Sequence, residues 1–142
     1  MKIFVVGNPC HTNAWVLSKY APNIPKENIA ALSYLDHQRG LNQITKHFGL
    51  RSGEMRNVII WGNHSPAMHV DFRFVEKRDG TKPEFDPKDV RHLERIVQLR
   101  GTRILEIRDI TAAISTSFAI LETVNKWVYG TEEGEIISMA KF

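Results

Sequence analysis

Three short apolar runs, each ending in polar residues, constrain the fold of this chain more than any other feature of its sequence. The runs are Ile3–Val6, Ile29–Leu35 and Asn57–Trp61. The polar residues that follow them are Gly7-Asn8-Pro9, Asp36 and Gly62-Asn63-His64-Ser65. Apolar runs of about 4–8 residues with such stops are typical of buried strands that deliver loops. The sequence therefore predicts strands with polar side chains at their carboxyl ends.

Helical signals separate these strands. Thr12 is predicted to cap a first helix, which stops before Pro22. A second helix is predicted to follow Asp36, because apolar residues recur at helical spacing as far as Phe48. Gly49 is predicted to close this helix.

The second half of the chain changes character. Val70, Phe72 and Phe74 alternate with polar residues, and Arg78-Asp79-Gly80 supplies a turn, which predicts one arm of an antiparallel pair. Glu135–Met139 is predicted to form a strand close to the end of the chain.

Two helices are predicted between these strands. Asp86 and Pro87 form a helix start, and Gly101 is predicted to end that helix. The apolar residues of Ile114–Val128 indicate the longest helix, stopped by Gly130. The overall pattern predicts an α/β to α+β fold with no internal domain boundary.

Composition narrows the class of protein. The net charge of +3 comes from interspersed acidic and basic residues with no Lys/Arg run, so a nucleic-acid partner is not favoured. Cys10 is the single cysteine, which excludes an internal disulfide and fits a reducing compartment. No apolar stretch approaches the roughly 20 residues that span a bilayer, and the first ten residues make a poor signal peptide. We expect a soluble intracellular protein without a membrane partner.

Asp36 and Arg39 are the first candidates for chemistry. Three residues apart on a helix, they share one face, and a local ion pair is one interpretation. The alternative gives them separate roles. Arg39 offers a planar fork that can bind a substrate carboxylate through two parallel hydrogen bonds, and Asp36 faces a histidine.

His64 is the candidate for that histidine, although an ordinary loop histidine is the competing interpretation. A carboxylate bonded to one ring nitrogen fixes the tautomer, and the other nitrogen can then exchange a proton with a carbonyl oxygen. A metal site built on His64 and His69 is disfavoured, because their spacing fits no standard zinc pattern and no cysteine cluster supports it.

Asn8 and Thr111 complete the candidate site. Asn8 is either a turn residue or an amide at the carboxyl end of a strand, where α/β sheets bind their ligands. Its bond to Pro9 is a candidate for the cis form. Thr111 stands just before the long predicted helix.

Taken in order along the chain, the motifs resemble those of cytosolic-type malate dehydrogenases, within the wider lactate/malate dehydrogenase family. The matching segments, which extend from about Ile3 to Met139, are VVGNPCHTN, SKYAPNIPKEN, LDHQRGLNQI, NVIIWGNHS and GTEEGEIISM. The resemblance implies reversible NAD-dependent oxidation of malate to oxaloacetate in the cytoplasm, usually by a homodimer to which the long helix after Thr111 contributes.

The resemblance also implies a role for each candidate residue. His64 would exchange the proton and Asp36 would orient it, while Arg39 would bind the substrate carboxylate. Asn8 would contact both substrate and nicotinamide. The remaining cofactor contacts would come from Val6, Gly7 and Thr111.

Departures from the family pattern limit these expectations. Cys10-His11 replaces small residues beside the expected cofactor site, and Pro66-Ala67-Met68-His69 replaces a more polar stretch. The family's glycine-rich dinucleotide turn and its arginine-bearing substrate loop have no counterpart in these residues. We therefore expect a central fragment, inactive alone, in which residues 1–25 end the Rossmann-type nucleotide-binding part and residues 26–142 begin the catalytic part.

Two alternatives remain open at this point. A lactate dehydrogenase-like enzyme of the same family would share the proton-transfer residues, because the loop that selects between malate and lactate is not among these residues. A non-catalytic truncated paralogue could instead act as an interaction module.

Overall fold

The computed structural model describes all 142 residues. Four α-helices, α1 to α4, span Cys10–Tyr20, Tyr34–His47, Pro87–Arg108 and Ala113–Tyr129. Seven short strands, β1 to β7, span Ile3–Val5, Ile29–Leu32, Met55–Arg56, Ile59–Trp61, His69–Asp71, Glu76–Lys77 and Met139–Ala140. A 3₁₀ turn covers Lys26–Asn28.

The sheet that positions the candidate site has the order β1-β2-β7. β1 and β2 are parallel, with Ile3 opposite Ile29, and α1 forms the crossover between them. Parallel strands require such a crossover, and their carboxyl ends then lie at the same edge of the sheet. That edge carries Val6 to Asn8 from β1 and the start of α2 from β2. β7 adds to the other side of β2 in antiparallel orientation.

Two small antiparallel sheets lie in the other part of the molecule. β3 pairs with β6, and β4 pairs with β5 so that Trp61 is opposite His69. The main hydrophobic core packs between these strands, α2 and α3. Its ten buried residues are Ile44, Met55, Val58, Ile60, Met68, Val70, Phe72, Val75, Leu93 and Val97.

The α/β to α+β class is confirmed, and several helix boundaries agree with the sequence signals. The Asp86 carboxylate accepts a hydrogen bond from the backbone N–H of Lys88 at 2.7 Å, which makes it the N-cap of α3. Gly49, two residues after the end of α2, and Gly130, directly after α4, both have positive φ, at 64° and 92°. Left-handed backbone of this kind favours glycine at helix ends.

Other predicted helix boundaries are wrong, and α2 begins at Tyr34, two residues before Asp36. α1 begins at Cys10 rather than after Thr12, because Pro9, with its φ of −77°, leads straight into the first turn. α3 continues through Gly101 to Arg108 and ends where Asp109 adopts φ 55°. With 22 residues, α3 and not the helix after Thr111 is the longest.

The predicted antiparallel arm and the last strand are also interrupted. The arm breaks after Asp71, where a turn is closed by the hydrogen bond from Val75 N–H to the carbonyl of Phe72. Of the predicted Glu135–Met139 strand, only Met139 has strand geometry. Ile136 instead donates its backbone N–H to the side-chain oxygen of Asn57 at 2.8 Å, so a side chain takes the place of a strand partner.

None of the helices combines the length and the apolar composition that are needed to cross a bilayer.

Candidate active site

A cavity of about 350 Å³ lies at the carboxyl edge of β1 and β2, beneath α3 and the start of α4. The chain brings five of its predicted site residues to the wall of this cavity, although they come from four separate segments. The five are Val6, Asn8, Arg39, His64 and Thr111. The other lining residues are Cys10, Leu32, Leu35, Ser65, Pro66, Met68, Gln98, Gly101, Thr102, Leu105, Ala112 and Thr116.

Asp36 connects two residues of the cavity wall, Arg39 and His64. It lies in the first turn of α2, and its carboxylate is buried, with 1% of the residue exposed. One oxygen, Oδ1, accepts a hydrogen bond from Arg39 Nη1 at 2.9 Å, and the other, Oδ2, contacts His64 Nδ1. A local ion pair and a carboxylate–histidine pair therefore coexist on the same side chain.

His64 is held in one orientation by this contact. A carboxylate can only accept hydrogen bonds, so Nδ1 of His64 carries the proton toward Asp36. The second ring nitrogen, Nε2, is left for a ligand, since His64 itself lines the cavity. The arrangement can pass a proton between Nε2 and a bound oxygen while Asp36 stabilises the imidazolium.

Arg39 places its guanidinium in the same cavity. The helical spacing puts it one turn after Asp36, and its side chain is 10% exposed. Asp36 takes up one N–H of the guanidinium, and the rest of the fork is available to a carboxylate within the cavity. Gly101 of α3 faces this group, because a Cβ built there would lie 3.7 Å from Arg39 Nη1. A glycine at this point of α3 keeps the space beside the guanidinium open.

The segment after β1 divides into residues that face the cavity and one that does not. Val6 and Asn8 line the cavity, and the Asn8–Pro9 peptide bond is cis. Gly7 is not part of the wall. Its carbonyl instead accepts a hydrogen bond from the side-chain amide of Asn13 at 2.8 Å.

Several residues that support the site carried no clear signal in the sequence. Gln98 of α3 donates from Nε2 to the carbonyl of Met68 at 2.8 Å, which fastens the loop after His64 to that helix. Cys10, which lines the cavity, and its neighbour His11, which does not, are both buried. Burial raises the pKa of the Cys10 thiol and lowers the pKa of His11. In the sequence, only the departure of Cys10-His11 from the family pattern indicated that this position is unusual.

Metal ligation finds no support in the arrangement of side chains. No group of three or more His, Cys, Asp or Glu side chains is placed to hold a metal ion. His69, the second histidine of the disfavoured zinc hypothesis, is exposed and bonds through Nδ1 to Glu94 Oε1 at 2.8 Å.

A family model and the sequences of curated proteins match this chain over most of its length. The model described as the alpha/beta C-terminal domain of lactate/malate dehydrogenase matches residues 33–141. A cytoplasmic malate dehydrogenase of Taenia solium is 39% identical over the whole chain, and cytoplasmic malate dehydrogenase 1 of Arabidopsis thaliana is 38% identical over 99% of it. The chain spans 45% of the length of each of these relatives.

Solved structures show the same fold. Trichomonas vaginalis lactate dehydrogenase, in complex with NADH and oxamate, superposes on 99% of the chain with a TM-score of 0.91 at 29% identity. Malate dehydrogenase from Naegleria fowleri superposes on 89% of the chain with a TM-score of 0.82 at 33% identity. The chain covers 44% and 40% of those two proteins, respectively.

Proposed function

Because the chain belongs to the lactate/malate dehydrogenase family, we propose that it supplies the proton-transfer and substrate-binding side of an oxidoreductase that interconverts malate and oxaloacetate with NAD. The observation that carries the proposal is the contact between Asp36 and His64 in the wall of a cavity that Arg39 and Asn8 also line. These side chains are what the oxidation of a 2-hydroxy acid requires of a protein: a proton acceptor, a group that orients it, and a cation for the carboxylate.

In this proposal, His64 is the residue that exchanges a proton with the substrate oxygen. During oxidation, Nε2 of the neutral ring accepts the proton of the substrate hydroxyl, and during reduction the imidazolium returns it to the carbonyl oxygen. Asp36 keeps Nδ1 protonated throughout and stabilises the charged ring. General acid–base catalysis of this kind contributes roughly 10²–10⁴-fold to a rate.

Arg39 binds the carboxylate next to the reacting carbon. Its guanidinium is nearly buried and is anchored on Asp36, so the fork is held in place before substrate arrives. Preorganised donors lose less conformational entropy on binding. Asn8, across the cavity, offers an amide to the substrate oxygen or to the cofactor.

The donors and apolar groups near Asn8 fit a nicotinamide. Val6 and Leu32 provide apolar contact for a flat ring, and Asn8 and Thr111 provide an amide and a hydroxyl for a carboxamide. A nicotinamide bound here would accept a hydride from the substrate carbon in the oxidation direction. Residues 1–25 would belong to the nucleotide-binding part and residues 26–142 to the catalytic part, as the family pattern implies.

Lactate oxidation is the second candidate. It is favoured by the close superposition with the Trichomonas vaginalis lactate dehydrogenase. Malate as the substrate is favoured by the sequence relatives, which are named malate dehydrogenases.

The proposal extends to assembly and location. Ile114, Phe118 and Leu121 form an exposed stripe on one face of α4, each more than 60% exposed. A homodimer would cover this face. A cytoplasmic location follows the names of the Taenia solium and Arabidopsis thaliana relatives.

Activity can be tested in a joined protein, in which this chain replaces the segment that it matches in the Taenia solium relative. We expect the joined protein to oxidise NADH with oxaloacetate faster than with pyruvate. We expect His64→Asn to lower kcat by roughly 10²–10⁴-fold, because asparagine cannot exchange the proton. Steady-state absorbance of NADH measures both results.

Two controls accompany this test. His92→Asn, at an exposed histidine of α3, is expected to leave kcat unchanged. The isolated 142-residue chain is expected to show no turnover, because its residues contribute only one side of a cofactor site. Retention of activity within a few-fold in His64→Asn would contradict the proton-transfer role, and a preference for pyruvate would select the second candidate.

A further inference from the structure

His11 lies at a junction of three segments behind the cavity. It belongs to the first turn of α1 and is 8% exposed. Its Nε2 is 2.9 Å from the Ser33 hydroxyl, at the start of α2. Its Nδ1 accepts the backbone N–H of His64 at 3.2 Å. One imidazole therefore connects α1, the helix that carries Asp36, and the loop that carries His64.

The two contacts determine the tautomer of His11. A backbone N–H can only donate, so Nδ1 of His11 must be the unprotonated nitrogen. The ring proton then resides on Nε2 and is donated to the oxygen of Ser33. His64 has the opposite arrangement, with the proton on Nδ1 toward Asp36.

Ser33 supports this assignment from the other side. It occupies the N-cap position of α2, where a serine side chain usually accepts a hydrogen bond from the first turn of its own helix. No such bond is made here, and the hydroxyl is directed to His11 instead. The Ser33 hydroxyl therefore does not cap α2. It contacts His11, and His11 in turn bonds to the backbone of His64.

We propose that His11 is a positioning residue for His64, a neutral imidazole that fixes the backbone of His64 while Asp36 fixes its ring. The proposal deepens the proposed function and rests on it, because His64 is the proton-transfer residue there. His64 is then fixed at two points, which confines Nε2 to one place in the cavity.

This arrangement gives the site a sensitivity to acid. Protonation of His11 would place a hydrogen on Nδ1, directly against the N–H of His64, and the contact would be lost. The groups that face His11 are Cys10 on its own helix, Asp36 on α2 and His64 on the loop. Burial lowers the pKa of His11 most, the charge of His64 lowers it further, and Asp36 opposes both. The neutral form is therefore the stable one near neutral pH.

The tautomer can be measured by NMR on the ¹⁵N-histidine-labelled 142-residue chain. We expect the His11 ring to show a protonated Nε2 and an unprotonated Nδ1, with a through-hydrogen-bond coupling from that Nδ1 to the amide nitrogen of His64. No variant and no turnover are needed for this measurement. A protonated Nδ1 on His11 at neutral pH would overturn the proposal.

Two substitutions separate positioning from packing. His11→Asn keeps an acceptor at the place of Nδ1, whereas His11→Leu fills the space without one. We expect His11→Leu to raise the amide exchange rate of His64 about tenfold, as the loss of one hydrogen bond allows, and His11→Asn to restore it to within about threefold of the parent. Equal exchange rates in the two variants would also overturn the proposal.

The catalytic consequence is tested in the joined protein. His11→Leu is expected to lower kcat about tenfold with little change in KM, and His11→Asn is expected to recover kcat and to remove the loss of activity on acidification that comes from His11. A kcat of His11→Leu equal to that of the parent would overturn the positioning role. An inactive joined protein with the expected His11 tautomer would count against the proposed function alone, because the NMR measurement does not depend on activity.

Discussion

At the scale of single residues, the site depends on a buried carboxylate with no unused oxygen. Asp36 is almost fully buried and binds Arg39 through one oxygen and His64 through the other. A buried charge is tolerated when it is paired and hydrogen-bonded, and removing one partner typically costs about 3–5 kcal/mol. Asp36 therefore couples the stability of α2 to the geometry of the two groups that would touch substrate.

A second buried histidine gives the stability of the fold a pH dependence. His37 is 2% exposed, stacks on Tyr34 and contacts the Ser138 hydroxyl through Nδ1 at 3.3 Å. Burial lowers the pKa of His37 from 6.5 to about 4, although Glu135 partly opposes this effect. The folded state then binds fewer protons than the unfolded state, so the stability contributed by neutral His37 is present above pH 6.5 and is lost as the pH falls toward 4.

We expect the free energy of unfolding to fall by roughly 3 kcal/mol across this range, at about 1.4 kcal/mol for each unit of pKa shift. His37→Phe keeps a ring against Tyr34 but cannot take up a proton, so its stability is expected to change much less between about pH 7 and pH 5. Urea unfolding at a series of pH values measures both proteins. Because the pKa of His11 is also lowered, a pH dependence that comes from His11 is expected to remain in the variant. Parallel pH profiles for the two proteins would show that His37 is not the titrating group.

At the scale of elements, α2 organises the site, and its sequence predicted much of that role. Asp36 and Arg39 lie one turn apart on a regular helix, so their common face follows from spacing alone. The carboxyl-end positions of Asn8 and His64 were predictable for a related reason, because short apolar runs delimit the strands. Periodic elements and the residues at their ends are what a single sequence describes well.

Features that depend on contacts between distant segments could not be predicted in this way. Gly101 has the low helix propensity of any glycine, yet α3 continues through it because α3 packs against α2. The strand predicted from Glu135 is replaced by contacts with Asn57, which lies about 80 residues earlier and adopts φ 70°. The link from Ser33 through His11 to His64 joins three segments and leaves no periodic pattern.

The two helix-interior glycines provide a matched test of close packing. A Cβ at Gly40 of α2 would lie 2.8 Å from Cγ1 of Val58, whereas a Cβ at Gly101 of α3 would meet nothing closer than 3.7 Å. Alanine favours a helix over glycine by about 1 kcal/mol, and overpacking a core costs about 1–3 kcal/mol. We expect Gly101→Ala to stabilise the chain by up to about 1 kcal/mol and Gly40→Ala to be about 1–3 kcal/mol less stable than Gly101→Ala.

Chemical denaturation of the two variants and the parent measures these differences in the free energy of unfolding. Because Val58 directly precedes β4, the displacement in Gly40→Ala should also reach the His64 loop, and amide chemical shifts from Ile59 to His64 are expected to change. Gly101→Ala should leave those shifts in place. Equal stabilisation by both alanines would mean that α2 and the Val58 segment separate easily, contrary to the packing described above.

At the scale of the whole molecule, the two faces of α4 differ sharply in solvent exposure. Ala119 and Thr123 are completely buried on one face. The opposite face exposes Ile114, Phe118 and Leu121, which recur at helical spacing, and the stripe continues to Val128. Contiguous exposed apolar surface on a soluble protein marks a contact site more often than a solvated face. The proposed homodimer places this stripe against a second copy.

Self-association of the chain tests that assembly. We expect sedimentation velocity to show a concentration-dependent dimer, and Phe118→Glu to shift the equilibrium to monomer by at least tenfold, because a carboxylate at the centre of an apolar contact is desolvated without a partner. Arg91→Gln, at an exposed position of α3, changes the net charge by the same −1 and serves as the control. The folded state must be retained in Phe118→Glu, which is expected because Phe118 is 62% exposed in the single chain. A parent chain that stays monomeric at all concentrations would exclude α4 as a self-association surface, whereas a dimer unaffected by Phe118→Glu would place the contact on another face.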